Sequence, residues 1–374
     1  MALLAFDGFD NYATGTNDVL NRRNAALQWS AAVAVVVNSP GRSGVGAYAY
    51  LPHAAEKFVG SIQPLVSGIV GFAMQAINNS DPYQGLGFAL MDLTANAPQL
   101  NFLFNLIAGS IAVYLGGTFV QSGNDGTGGI VTGGTLLGAT ANNAVTFGEN
   151  IWNYYEVAAT IAGSGGGAVE LRVNGQVVLN LSGITTRMTA HTYFNGVAWM
   201  TTSNFQTTYA MGLDDFYLCD TTTGPGPYAC NTFLGDVRVI TLNTDGAGAS
   251  TQWTPLTGTN WGEVAEARCD GDTTYNYTAT VNNKDLFNFA PLTGTINAVI
   301  AVQTTGAYRK DNGGTREITQ QLVSGATAVN GTTYSVPSSY VYMSDFWVTD
   351  PNTALAAWTV SAVNAVQAGY ILSA

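Results

Sequence analysis

The clearest pattern along the chain is alternation of apolar and polar positions between residues 152 and 181. Val169, Leu171 and Val173 point one way and Glu170 and Arg172 the other, the period-2 pattern of a half-buried strand. Asn174-Gly175 then offers the two positive-φ residues of a type I′ turn, and strand character resumes from Gln176 to Leu181, which predicts a hairpin. Trp152-Asn153-Tyr154-Tyr155-Glu156-Val157 precedes it as a further amphipathic strand. Other strand-like runs cover 32–37, 45–51, 69–77, 86–93, 193–200 and 209–218, with Gly, Asn, Asp, Ser or Pro in nearly every gap. The most apolar window, Leu100 to Leu115, is broken by Asn101, Asn105, Gly109 and Ser110, so it predicts a hairpin turned at Gly109-Ser110 and falls short of a ~20-residue membrane span.

This spacing of short strands predicts an all-β chain, a sandwich or jelly roll, in place of a parallel α/β sheet. One short helix is expected over Asp18 to Ala26, capped by Asn17 or Asp18, and a second over Thr359 to Ala368 before a terminal strand from Gly369 to Leu372. The Gly, Thr and Asn tract from Gly123 to Ala144 reads as an ordered long loop in which Ile130, Val131, Leu136 and Leu137 join a sheet edge. Gly224-Pro225-Gly226-Pro227 cannot continue a strand, and it divides a larger unit, 1–220, from a smaller one, 233–374, through a Gly/Pro linker at 221–232. In the second unit, strands are expected at 235–242, 275–280, 295–304, 317–322, 340–348 and 357–360.

Only 10% of the 374 residues are charged, against about 25% in an ordinary soluble domain, and the formal net charge is −12. That charge disfavours nucleic acid, whose phosphates would be repelled. The amino terminus lacks the basic and apolar regions of a signal peptide, so export by the general secretory route is not expected. Three cysteines, Cys219, Cys230 and Cys269, cannot all pair within one chain. They read as buried thiols of a protein folded in a reducing cytosol, with a Cys219–Cys230 bridge as the alternative.

Two resemblances add to this reading. The Trp152 to Val157 strand, Glu170 to Gly175, the segment Gly212-Leu213-Asp214-Asp215-Phe216-Tyr217-Leu218 and the opening Leu4-Ala5-Phe6-Asp7-Gly8-Phe9-Asp10 resemble strands of concanavalin-A-like and laminin-G-like domains. That resemblance covers residues 2 to 220 and implies a jelly-roll β-sandwich whose terminal strands lie side by side, with Phe6 near Phe216. Asn231 to Val239, Thr251-Gln252-Trp253-Thr254-Pro255, Asp270 to Tyr275 and Tyr342 to Trp358 are similar to structural proteins of tailed bacteriophages and prophages. The second resemblance implies a non-enzymatic virion component, assembled in the host cytoplasm and exposed on the particle exterior: a tail-fibre or adsorption-apparatus part, or a capsid decoration. Its expected partners are other virion proteins, further copies of itself, with a trimer favoured by analogy, and a host-surface glycan.

Candidate chemistry is sparse. Glucanases of this fold place paired carboxylates on one strand as Glu-x-Asp-x-Glu, and this sequence has no such motif. A polysaccharide depolymerase is therefore the weakest reading. Glu156 and Glu170 are expected to face solvent, Glu263 and Glu266 to lie on the surface, and His53 and His191 in loops. No cofactor is expected; calcium is the one metal considered, with Asp214, Asp270 and Asp272 as candidates. Asp214 and Asp215 should alternate on a strand and so not face one ion, and Asp270-Gly271-Asp272 lacks the distal glutamate of a calcium loop. Trp152, Trp199, Phe216 and Tyr217 are expected in the core. Trp253, Trp261, Tyr275 and Tyr277 cluster near turns and are the candidates for a glycan or subunit contact.

Overall fold

The computed structural model describes residues 3–12, 20, 22–23, 27–31, 36–42, 44, 46–52, 57–77, 85–121, 129–148, 151–202, 210–221, 231–266, 268–354 and 356–374. Its first unit is a lectin-like β-sandwich of the concanavalin-A type. One sheet runs in the order Gln176–Ile184, Gly167–Val173, Asn153–Thr160, Ser67–Ile77, Ala210–Cys219, Tyr48–Pro52, Val36–Asn38, with Leu3–Asp7 also pairing with Ala210–Cys219. The facing sheet runs Thr135–Ala139, Ser110–Leu115, Ala97–Asn105, Gly85–Asp92, Phe194–Thr202, Lys57–Leu65, Leu27–Ala31.

Alternation decides what fills the space between the sheets. Val70, Phe72, Met74, Tyr155, Val157 and Leu171 from the first sheet meet Leu86, Phe88, Leu90, Phe102, Phe104 and Trp199 from the second in one buried cluster. The Phe72 ring lies 5.0 Å from Phe88 and 5.2 Å, edge-on, from Trp199, contacts that fix the two layers against each other. Asn174 and Gly175 adopt φ of 51° and 78° as the turn requires. Asn174 does more than turn the chain: its Oδ1 accepts from Tyr154 N and its Nδ2 donates to Asn153 Oδ1. The terminal strands pair in the register Phe6 to Tyr217 and Asp7 to Phe216.

The expected hairpin within 100–115 is present as Ala97–Asn105 with Ser110–Leu115, although its connection spans 106–109 where a two-residue turn was expected. In the glycine-rich tract, Thr135–Ala139 joins the sheet edge and Gly129–Thr132 pairs with Thr118–Gln121. Most of the helix expected at 18–26 lies outside the described residues, but Arg22–Arg23 is a strand and so corrects that expectation.

Beyond the sandwich, Thr244–Thr251, Lys284–Phe289, Gln367–Leu372, Glu317–Ser324 and Thr327–Ser335 form a five-stranded sheet. A three-stranded sheet holds Arg22–Arg23, Val341–Trp347 and Val302–Tyr308, so the amino-terminal part of the chain contributes a strand to the carboxy-terminal module, parallel to Val341–Trp347. The helix near the end is Val360–Asn364, capped by the Thr359 hydroxyl, with Val363 buried. Strands expected at 235–242 and 357–360 are not formed, and three real ones, Thr244–Thr251, Lys284–Phe289 and Thr327–Ser335, were not anticipated.

The 235–242 stretch alternates because it is laid along a sheet face, not because it pairs. Val237 packs in a second buried cluster made by Leu3, Ile69, Ala73, Tyr154, Tyr217 and Cys219, all on the outward side of the eight-stranded sheet. Phe233, Leu234, Ile300, Ala301 and Val348 pack against it, together with Phe6, Trp152 and Ala158 of the sandwich. The outward face of this sheet is thus the floor of the seam between the two modules.

Candidate functional site

Three polar assemblies stand out, and each grows from outward-facing strand positions. The first is the seam itself. A register shift between Asp214 and Tyr217, with Asp215 at φ 50°, turns both carboxylates toward Arg42, which corrects the expectation that they alternate. Asp214 Oδ2 accepts from Arg42 N at 2.8 Å, Asp215 Oδ2 from Arg42 Nη1 at 3.3 Å, and Arg42 Nη2 reaches Asp236. Asp215 Oδ1 also accepts from Val239 N, tying the second module's entry segment to the sandwich. Burial, with the neighbouring Asp215 charge, pushes the Asp214 carboxyl up to about 8, and burial likewise raises Asp215. Burial also lifts Asp10, which accepts from Ala47 N, to about 6.

Glu156 belongs to the same seam. It faces outward, as its period requires, but it is 1% exposed and not solvent-facing. Its Oε1 accepts from Tyr217 Oη and from Gly235 N at 2.8 Å, while Tyr217 Oη accepts from Leu234 N. The sequence showed its face; it could not show that chain from eighty residues later covers that face.

The second assembly lies where this cover ends. Cross-strand pairing places Ala158 beside Ile69 on one side and Glu170 on the other, Thr160 beside Ser67 and Ala168, and Glu170 beside Asn180. Small side chains at 158 and 168 leave a hollow of about 270 Å³ beside Ile69, walled by Phe233, Thr232 and Asn231 with Thr160, Glu170, Asn180 and Thr221 around it. Arg172 Nε binds Glu170 Oε1 at 2.8 Å, and its guanidinium stacks 3.9 Å over the Phe233 ring, so one cation fixes both a carboxylate and an aromatic wall. Glu170 is therefore half-buried and paired, not a free surface carboxylate.

The third assembly was missed from sequence, because its parts are about a hundred residues apart. Asp92, fully buried, accepts from Thr189 Oγ1 at 2.6 Å and Ala95 N at 3.1 Å and pairs with His191 Nδ1 at 2.8 Å. Burial alone would raise this carboxyl; the bonds from Thr189 and His191 outweigh it and hold it low. Gln99 closes the loop by donating to Thr189, His191 and Tyr193 and accepting from Met188 N and Thr189 N. The imidazole stacks on Tyr193 at 4.9 Å. His53 lies outside the described residues.

The residues singled out from sequence fall in different places. Asp214 belongs to the seam. Asp270 accepts from Thr274 N and Oγ1, a self-contained turn, and Asp272 is held low by bonds from Tyr340 Oη and Arg309. Among the described residues no group of three or more His, Cys, Asp or Glu side chains could hold a metal ion. Trp253 packs edge-on to Tyr370 at 4.7 Å and donates to Asn283 O, so much of its ring serves the module's own core. Trp261 starts the short 3₁₀ helix Gly262–Val264, and Tyr275 and Tyr277 stand 6.1 Å apart, Tyr277 being exposed. Glu263, expected on the surface, is buried and organises this loop by accepting from Thr257, Gly258 and Tyr275, bonds that hold its carboxyl low. Trp199, Phe216 and Tyr217 are buried as expected, and Trp152 is partly buried against Tyr48. Cys230 lies outside the described residues; Cys219 is buried and Cys269 half-buried.

No protein-family model and no curated protein matches the chain. Solved structures do. The potassium-bound Emp46p carbohydrate recognition domain aligns with TM-score 0.34 and 11% identity over 54% of this chain and 94% of its own. The carbohydrate-binding module CBM66 from Bacillus subtilis aligns with TM-score 0.30 and 6% identity over 55% and 97%. The endo-β-1,4-glucuronan lyase from the fungus Trichoderma reesei aligns with TM-score 0.34 and 9% identity over 57% and 94%.

Proposed function

We propose that this chain is a non-enzymatic structural protein on the exterior of a tailed-phage virion, a part of the tail fibre or adsorption apparatus that works alongside other virion proteins. The observation that carries this reading is the seam. Two unlike β modules are welded by a shared apolar cluster, a strand contributed by Arg22–Arg23 to the far module, and the Arg42–Asp215–Asp236 bridge. A protein that transmits force or position between neighbours needs such rigidity; a catalytic module on a linker does not. Buried carboxylates at Asp7, Glu156, Asp214, Asp215, Glu263 and Asp285 are engaged in holding chain segments, which fits a scaffold. The charge-poor, hydroxyl-rich composition suits a surface exposed after lysis.

Mass spectrometry of gradient-purified particles tests it. The chain should be recovered with the particles and be degraded by protease added to intact ones. Its absence from particles would overturn the proposal, as would release of reducing ends from host polysaccharide by the purified chain, which would make it a depolymerase. Gold labelling separates the tail position from a capsid decoration.

A further inference from the structure

The hollow beside Phe233 opens at the edge of the seam, where the cluster holding Ile69, Ala158 and Phe233 ends, and its construction points to a ligand. Its floor is made of the small side chains of Ala158 and Ala168 with Ile69 beside them, outward-facing positions brought together by the pairing of three neighbouring strands. The rim is chemically mixed: one aromatic wall, two amides, a carboxylate and three hydroxyls converge on a space of about 270 Å³. Small-molecule sites have this composition, an apolar surface with a few converging polar groups, and those for drug-sized ligands begin at about 300 Å³. This hollow is a little smaller.

We propose that it binds one neutral pyranose unit of a glycan. The ring's apolar face would rest on the alanine floor or the Phe233 wall, and its hydroxyls would meet Asn180, Thr232, Asn231 and the oxygens of Glu170. The side chains of Asn180, Asn231 and Thr232 make no hydrogen bond among the described residues, so they can turn to a ligand at no cost to the fold. Charge selects the class. Among the described residues the one carboxylate lining the hollow is Glu170, which is paired with Arg172, and no cationic side chain lines it, so nothing in the lining favours an acidic sugar or an amine. The proposal goes beyond the virion reading and does not depend on it, since binding is a property of the isolated chain.

The test uses the full chain and saturation-transfer NMR against a panel of free monosaccharides: glucose, galactose, mannose, their N-acetyl-2-amino derivatives, and glucuronate. At least one neutral sugar should give transfer signals and glucuronate none. Ala168→Leu, on a half-exposed strand position, fills the floor and should abolish the signals while leaving the melting temperature unchanged. Asn180→Ala removes one or two hydrogen bonds and should weaken binding about two- to tenfold. Silence across the neutral panel overturns the proposal; so does equal binding of glucuronate, or binding that survives Ala168→Leu in a folded protein. Because the readout is free of particles, failure here leaves the virion reading standing, and absence from particles leaves this site standing.

Discussion

Arg42→Ala tests the seam at its most connected residue. The Arg42 side chain is 6% exposed and meets Asp215, whose carboxylate is 4% exposed, and Asp236, which is 47% exposed. Asp236 would rehydrate, so its loss counts for little, as for surface pairs. Asp215 would stay buried with Val239 N and a 3.8 Å contact to Arg238 as its remaining support. Breaking a buried pair from one side costs about 3–5 kcal/mol. The lower end applies, because burial already raises the Asp215 pKa and protonation limits the penalty. The bond from Arg42 N to Asp214 is a backbone bond and survives. About 3 kcal/mol in a unit of roughly 200 residues corresponds to a fall in Tm of about 6–12 °C. Calorimetry should show that fall together with separation of the two modules' transitions, and Arg42→Ala combined with Asp215→Asn should be more stable than Arg42→Ala alone. A single transition moved by less than about 2 °C would refute the reasoning that this pair locks the modules.

Other consequences can be measured with the same protein. Asp214 and Asp10 hold protons in the folded state up to about 8 and about 6, against an ordinary 3.8, so the folded chain binds more protons across that window and loses stability as pH rises through it. Urea midpoints should fall between pH 5 and pH 9, and Asp214→Asn should flatten the upper part of that slope; a midpoint that rises with pH would contradict this. Asn174→Ala removes two bonds and places an alanine at φ 51°, so a loss of about 2 kcal/mol is expected in urea denaturation, and an unchanged midpoint would show that the hairpin turn is not anchored as described.

The parts of this fold that sequence revealed are those in which one short segment contains its own instructions. Asn174-Gly175 between alternating runs specifies a hairpin locally, and the period of 169–173 assigns each side chain to a face. What a face meets is a different matter. Glu156 faces outward as its period predicts, yet it does not meet solvent, because Gly235 and Tyr217 reach it from distant parts of the chain. The same cause misled at 235–242, where Val237 and Val239 alternate against a sheet face and Val239 N bonds to a carboxylate, not to a neighbouring strand. Asp214 and Asp215 escaped the period rule through a bulge that no local residue type announced. The hollow beside Phe233 is illegible for a related reason: its floor depends on the small side chains of Ala158 and Ala168 on two strands, and an alanine carries no sign of what it leaves room for.

The central claim, a rigid two-module structural part displayed on a phage, is tested most directly by electron microscopy of purified particles labelled with gold-conjugated antibody raised against the whole chain. Gold at one regular position on the tail of intact particles is the expected result. Particles that never carry gold, while the same antibody detects the chain only in the soluble fraction of the lysate, would contradict it.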